Sequence, residues 1–206
     1  MERPRNIFEA LFSKEKPLQI GFSEESKAFL KKLLLRPNPT LAEFAFLCLG
    51  TNNYVDTVLV ANEHSYSTES GLNFKGFIGS SVSRNELTSL IKKLDDSGRY
   101  QELLIFGHSH PSGSLIVKNI RFSVAPNESL LVPSMGTKEE GGPTAAHDLA
   151  FISSLVEVLP ELPIPFVGIA ANTENGPALR AYDTKRLLKI KRAKDIDKVP
   201  QTTIKL

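Results

Sequence analysis

The sequence predicts an α/β (α+β) domain built on one mixed β-sheet flanked by a few helices. Three observations carry that expectation. Two pairs of strand-like apolar runs, 44–49 with 54–61 and 166–171 with 178–182, are each split by turn-forming residues. Helix signals mark other stretches, an apolar stripe over 22–34 and capping residues at the start of 83–96 and 144–158. Finally, 206 residues with 41% hydrophobic content fill one sizeable core but not two large domains.

Taken along the chain, residues 1–20 carry Pro4, Lys14, Lys16 and Pro17 without a sustained period, and read as a flexible N-terminal arm. Ser23 ahead of Glu24 and Glu25 signals a helix start, and Phe22, Phe29, Leu30, Leu33 and Leu34 give it an apolar stripe that ends near Pro37. Gly50, Thr51, Asn52 and Asn53 then mark a hairpin turn. Residues 62–82 are polar and glycine-rich, with a short strand expected near 74–78. Ser83 followed by Glu86 is a capping box that opens a helix to about Asp96. A short buried strand at 103–106 runs into Gly107-His108-Ser109-His110-Pro111-Ser112-Gly113. The stretch 114–142 is a long connection, and such lengths inside a compact domain are usually functional or mobile. Thr144 caps a helix to about 158, Pro160, Pro163 and Pro165 end it, and Asn175-Gly176-Pro177 marks a second hairpin.

The composition excludes several classes of function. A single cysteine, Cys48, rules out a disulfide framework and cysteine-rich zinc sites. No apolar run approaches the roughly 20 residues of a membrane span, and no apolar segment with a basic flank opens the chain, so a cytoplasmic protein is expected. A net charge of +2 argues against a dedicated nucleic-acid binder. The exception is local: Lys185, Arg186, Lys189, Lys191, Arg192 and Lys194 form a basic segment, read as a solvated face, and 186–206 is expected to be a basic C-terminal extension. With only His64, His108, His110 and His147 available, any metal site must combine histidine with carboxylate.

His108 and His110 are the most informative pair. Residues two apart on an extended strand project to one face, where two imidazoles can grip one ion at about 2.0–2.1 Å. Downstream, Asp148 offers a carboxylate near the first turn of a helix, with His147 beside it. Upstream, Glu43 opens an otherwise apolar strand, where a carboxylate is costly unless partnered.

These residues resemble the JAMM/MPN+ metalloprotease family. Glu43 through Gly50 looks like its E-x-x-x-L-x-x-G strand, Gly107-His108-Ser109-His110-Pro111 its H-[ST]-H-P motif, and Pro143-Thr144 with Asp148-Leu149 its P-S-x-x-D-L segment. The resemblance spans roughly residues 20–185 and keeps the family's order. It implies an MPN-type three-layer sandwich over 21–185, with 114–142 as a long insertion that acts as a lid or a partner-docking loop. It also implies a Zn²⁺ ion held by His108, His110 and Asp148, with Glu43 as general base and Thr144 stabilising an oxyanion. The implied activity is removal of ubiquitin or ubiquitin-like modifiers from lysine side chains by attack of a metal-activated water. The implied partners are such conjugates and a proteasome-type assembly. The alternative is a non-catalytic MPN scaffold that serves as an interaction module.

Two departures stand out. Asp148 lies 38 positions beyond His110, much farther than in the family, and it stands four residues after Thr144 rather than three. Three after Thr144 is His147, so the third ligand is either Asp148 or His147.

Overall fold

A computed structural model describes residues 18–38, 41–61, 84–117, 119–134, 148–190 and 193–206. After the two-residue strand β1 (Gly21–Phe22), Ser23 leaves helical geometry and its hydroxyl accepts the Ser26 amide at 3.1 Å. That cap opens α1 (Glu24–Leu34), whose Leu30 and Leu33 are buried. The expected hairpin forms as β2 (Ala45–Thr51) and β3 (Tyr54–Val60). Its two-residue turn places Asn52 and Asn53 at φ 52° and 58°, a left-handed conformation that asparagine tolerates.

Next come α2 (Arg84–Ser97), β4 (Leu103–His110), the hairpin β5 (Gly113–Val117) and β6 (Ile120–Val124), and a 3₁₀ turn over Glu128–Leu131. The chain continues as α3 (Asp148–Val158), β7 (Phe166–Thr173), β8 (Gly176–Asp183), the short α4 (Thr184–Leu187), a second 3₁₀ stretch (Ala193–Lys198) and β9 (Gln201–Lys205).

Seven strands form one mixed sheet in the order β1-β3-β2-β4-β7-β8-β9. The β1–β3 and β4–β7 pairs are parallel and the rest are antiparallel. Helices pack on both faces. Phe44, Phe46, Cys48 and Ile105 bury against Leu30 and Leu33 of α1. Ala45, Leu47 and Phe106 bury against Leu90 and Leu94 of α2 and Leu155 of α3, while Val167, Ile169 and Tyr182 meet Ile152 of α3. The protein is therefore an α+β sandwich, as the sequence predicts. Among the described residues no helix is long and apolar enough to cross a membrane.

Several boundaries differ from the sequence reading. The strand expected at 103–106 extends through His110. The connection from 114 holds a hairpin, with Asn119 in its turn at φ 65°. The second long hairpin turns at Glu174–Asn175 instead of Asn175-Gly176-Pro177, so Gly176 and Pro177 belong to β8. Thr173 explains the shift, because its hydroxyl accepts the Asn175 amide and donates to the Gly176 carbonyl, closing the loop one residue early. Residues 186–206, read as a basic extension, include β9, which pairs along β8 at the sheet's edge. Lys185, Arg186 and Lys189 are exposed, which suits a solvated face. Within the N-terminal stretch, Leu18 and Ile20 pack against the α1-side core. The remainder of that arm, the strand near 74–78 and the Ser83 and Thr144 caps lie outside the described residues.

Gly107 shows how tightly the centre is built. A Cβ there would drive into the Phe46 ring and approach the Gly168 carbonyl at 3.0 Å. Gly107→Ala is expected to destabilise the protein by about 1–3 kcal/mol through overpacking. Denaturant unfolding measures it, and unchanged stability would mean the Phe46 ring yields freely.

Candidate metal centre

The β2–β4 register aligns the candidate residues. Ala45 pairs with His108 across the two strands, and the pairing continues beyond the ladder: the Phe44 amide donates to Ser109 Oγ at 3.0 Å and the Ser109 amide donates to the Phe44 carbonyl at 2.9 Å. Continuing that alternation by one residue assigns Glu43 to the face of His110, in keeping with the electrostatic pull of both histidines on its carboxyl group. Cross-strand partners share a face, so Glu43, Ala45, His108 and His110 line one side of the sheet, continuing the face of Phe106. That is the side covered by α3, whose first residue is Asp148. Parallel β7 supports the same end of β4 by pairing Ile169 with His108 and Ala171 with His110.

Three side chains converge there. His108 Nε2 lies 3.1 Å from His110 Nε2 and 3.1 Å from Asp148 Oδ1, and His110 Nε2 lies 3.1 Å from Asp148 Oδ2. A tetrahedral ion with bonds of about 2.0–2.1 Å spaces its ligand atoms about 3.3 Å apart, close to this triangle. The surrounding hydrogen bonds bear on the fit. His110 Nδ1 sits 2.7 Å from the Leu130 carbonyl, an acceptor, so Nδ1 carries a hydrogen and the metal-binding tautomer has its Nε2 lone pair turned inward. That lone pair faces a carboxylate oxygen which already accepts the Ser134 amide at 2.6 Å. Two acceptors at this distance repel unless a proton or a cation lies between them. The donor set therefore fits a metal ion, and no other such His/Cys/Asp/Glu cluster occurs among the described residues.

The electrostatics agree. Burial of His108 works to lower its pKa, but the adjacent Asp148 carboxylate overrides that and raises it to about 9. Burial alone would raise the Asp148 pKa, yet His108 and then His110 hold it well below the usual carboxylate range. A cation bound at the triangle takes the place of the proton that His108 otherwise keeps. His108 Nδ1 is buried without a hydrogen-bond partner among the described residues, so packing between strands orients that ring. Glu43 is pushed up by burial to about 7, with His108 and His110 pulling the other way. A carboxyl group balanced near neutrality beside a metal triangle is suited to taking and returning a proton.

Of the residues singled out from sequence, the structure brings His108, His110 and Asp148 together and places Glu43 within their electrostatic reach. Thr144 and the alternative ligand His147 lie outside the described residues. Two contributors were missed. Ser134 accepts the Asp148 amide on Oγ at 3.1 Å and donates its own amide to Asp148 Oδ2, and the Leu130 carbonyl fixes His110. Ser134 caps α3 from 14 residues away, beyond the reach of any local capping pattern, and a backbone carbonyl has no sequence signature at all. Glu86, read from the sequence as a capping residue, accepts the Ala45 amide at 2.7 Å, and its charge adds to the burial-driven upward shift of Glu43. No family model matches the chain, and no curated protein or solved structure matches it.

Proposed function

We propose that the protein is a zinc-dependent isopeptidase of the JAMM/MPN+ type, with the MPN form of the three-layer sandwich. It removes ubiquitin or a ubiquitin-like modifier from lysine side chains. The observation that supports this best is the triangle of His108, His110 and Asp148 with the Glu43 carboxyl within their electrostatic reach. His108 and His110 bind through Nε2 and Asp148, rather than His147, is the third ligand. Zinc bound there supplies Lewis acidity and brings a water into the range where it can lose a proton near pH 7.

The chain's own groups then have defined tasks. Glu43 accepts the proton of the attacking water on its carboxylate and delivers it to the leaving lysine nitrogen. The Leu130 carbonyl keeps His110 in one tautomer, and Ser134 keeps Asp148 in one orientation. Thr144, or a backbone amide near it, stabilises the oxyanion. Burial of His108 and Ser109 at the end of β4 excludes water from one side of the site.

The test uses the full chain and a lysine-linked ubiquitin-type conjugate. Cleavage is expected with zinc present, to be lost on chelation, and to return with added zinc. Stoichiometric zinc with no cleavage of any such conjugate would favour the non-catalytic scaffold instead.

A further inference from the structure

We propose that Tyr182 is a positioning residue for the metal centre, acting through the strap formed by residues 128–134. This rests on the reading of His108, His110 and Asp148 as the metal ligands. The strap follows β6 and lies against β7 and β8. Three of its atoms hold ligand residues: the Leu130 carbonyl on His110 Nδ1, and the amide and hydroxyl of Ser134 on the carboxylate and amide of Asp148. The strap thus serves two ligands that come from different elements, β4 and α3.

Side chains of β8 secure this strap from behind. Tyr182 is fully buried, and its hydroxyl donates to the Leu131 carbonyl at 2.8 Å. Leu131 is itself fully buried against Ala171 and Ala178. Two residues earlier on the same face of β8, Arg180 Nη2 meets Glu128 Oε2 at 3.2 Å at the strap's exposed end. The Leu130 and Leu131 carbonyls belong to adjacent peptide planes, so the bond that fixes one restricts the rotation of the other. Losing the hydroxyl leaves a buried carbonyl without its donor, and the plane turns to find another. The next plane turns with it, and His110 loses the acceptor that sets its tautomer and aims its Nε2 at Asp148.

The experiment compares wild type with Tyr182→Phe as full chains, using zinc alone as probe. Zinc affinity is read by competition with a chromophoric chelator, and the His110 ring nitrogens are read by NMR in the metal-free protein. Affinity is expected to fall about tenfold, the low end of the range for outer-shell groups, with loss of the Nδ1–H tautomer signal. Ile204→Ala, a cavity on the α1 side of the sheet, controls for lost stability and is expected to leave affinity unchanged. Wild-type affinity and ring signals in Tyr182→Phe overturn the proposal, as does an equal loss of affinity in Ile204→Ala. Should Tyr182→Phe not fold, Arg180→Gln frees the same strap at its exposed end, and unchanged affinity there overturns the proposal too. A wild-type chain that binds no zinc fails the underlying reading. Wild-type binding with an unaffected Tyr182→Phe fails this inference alone.

Discussion

Asp148→Asn is expected to strip the centre of metal while leaving a folded protein. The change keeps the side chain's shape and an oxygen for the Ser134 amide, but it removes the negative charge that His108 and His110 face at 3.1 Å. A neutral amide oxygen is a much poorer ligand for a divalent cation. The affinity loss should therefore exceed the roughly 10–100-fold that follows loss of an outer-shell partner. The fold itself should lose about 1.5–3 kcal/mol, the typical worth of hydrogen bonds to a charged group. Metal analysis of dialysed protein beside a thermal melt measures both effects. His147→Ala is the companion variant and is expected to retain stoichiometric zinc. The opposite pattern, zinc kept by Asp148→Asn and lost by His147→Ala, would transfer the third ligand to His147.

Glu43→Gln should divide metal binding from chemistry. Glutamine has the same shape and is accommodated in the same partly buried position, yet it cannot take up a proton. Zinc content is expected to match wild type, and kcat for isopeptide cleavage to fall by about 10²–10⁴-fold, the usual contribution of a general base. KM should change little, because substrate binding does not depend on that proton. Without metal, burial lifts the carboxyl group to about 7 against the pull of His108 and His110, and a bound dication would draw it lower, toward the ionised form that a base requires. Full hydrolysis by a zinc-loaded glutamine variant would sink Glu43 as the base.

How much of this was legible in the sequence varies with the kind of signal. The α1 stripe and the Asn52–Asn53 turn were plain because side-chain type and position both speak there. The His108–His110 pair could be proposed from spacing two apart, and β4 presents both rings on one face. Its strand was read as ending at 106 because Gly107 weakens strand propensity, whereas in the fold that glycine admits the Phe46 ring. The β5–β6 hairpin was folded into a long connection because its turn carries no glycine and rests on Asn119 at φ 65°. Asp148 could be named from its place at a helix start, but its pairing with the histidines came through the motif resemblance, since 38 intervening positions erase any local pattern. Leu130 and Ser134 were invisible because their part is played largely by backbone groups placed by tertiary folding.

The ladder irregularities in β2 have a consequence for how this protein tolerates change. Register shifts occur between Cys48 and Leu49 against β4 and between Leu49 and Gly50 against β3. At Gly50 any Cβ would collide with the Tyr54 backbone, so that end of the strand cannot slide past its neighbour. Gly50 is a detent, and Glu43 sits seven residues from it. Because successive side chains alternate faces, adding or removing a single residue between the two would send the carboxylate through to the α1 side of the sheet. The stretch can absorb many conservative substitutions in its apolar residues, but its length is fixed. The position of the carboxylate is therefore set less by the identity of the intervening apolar residues than by their number.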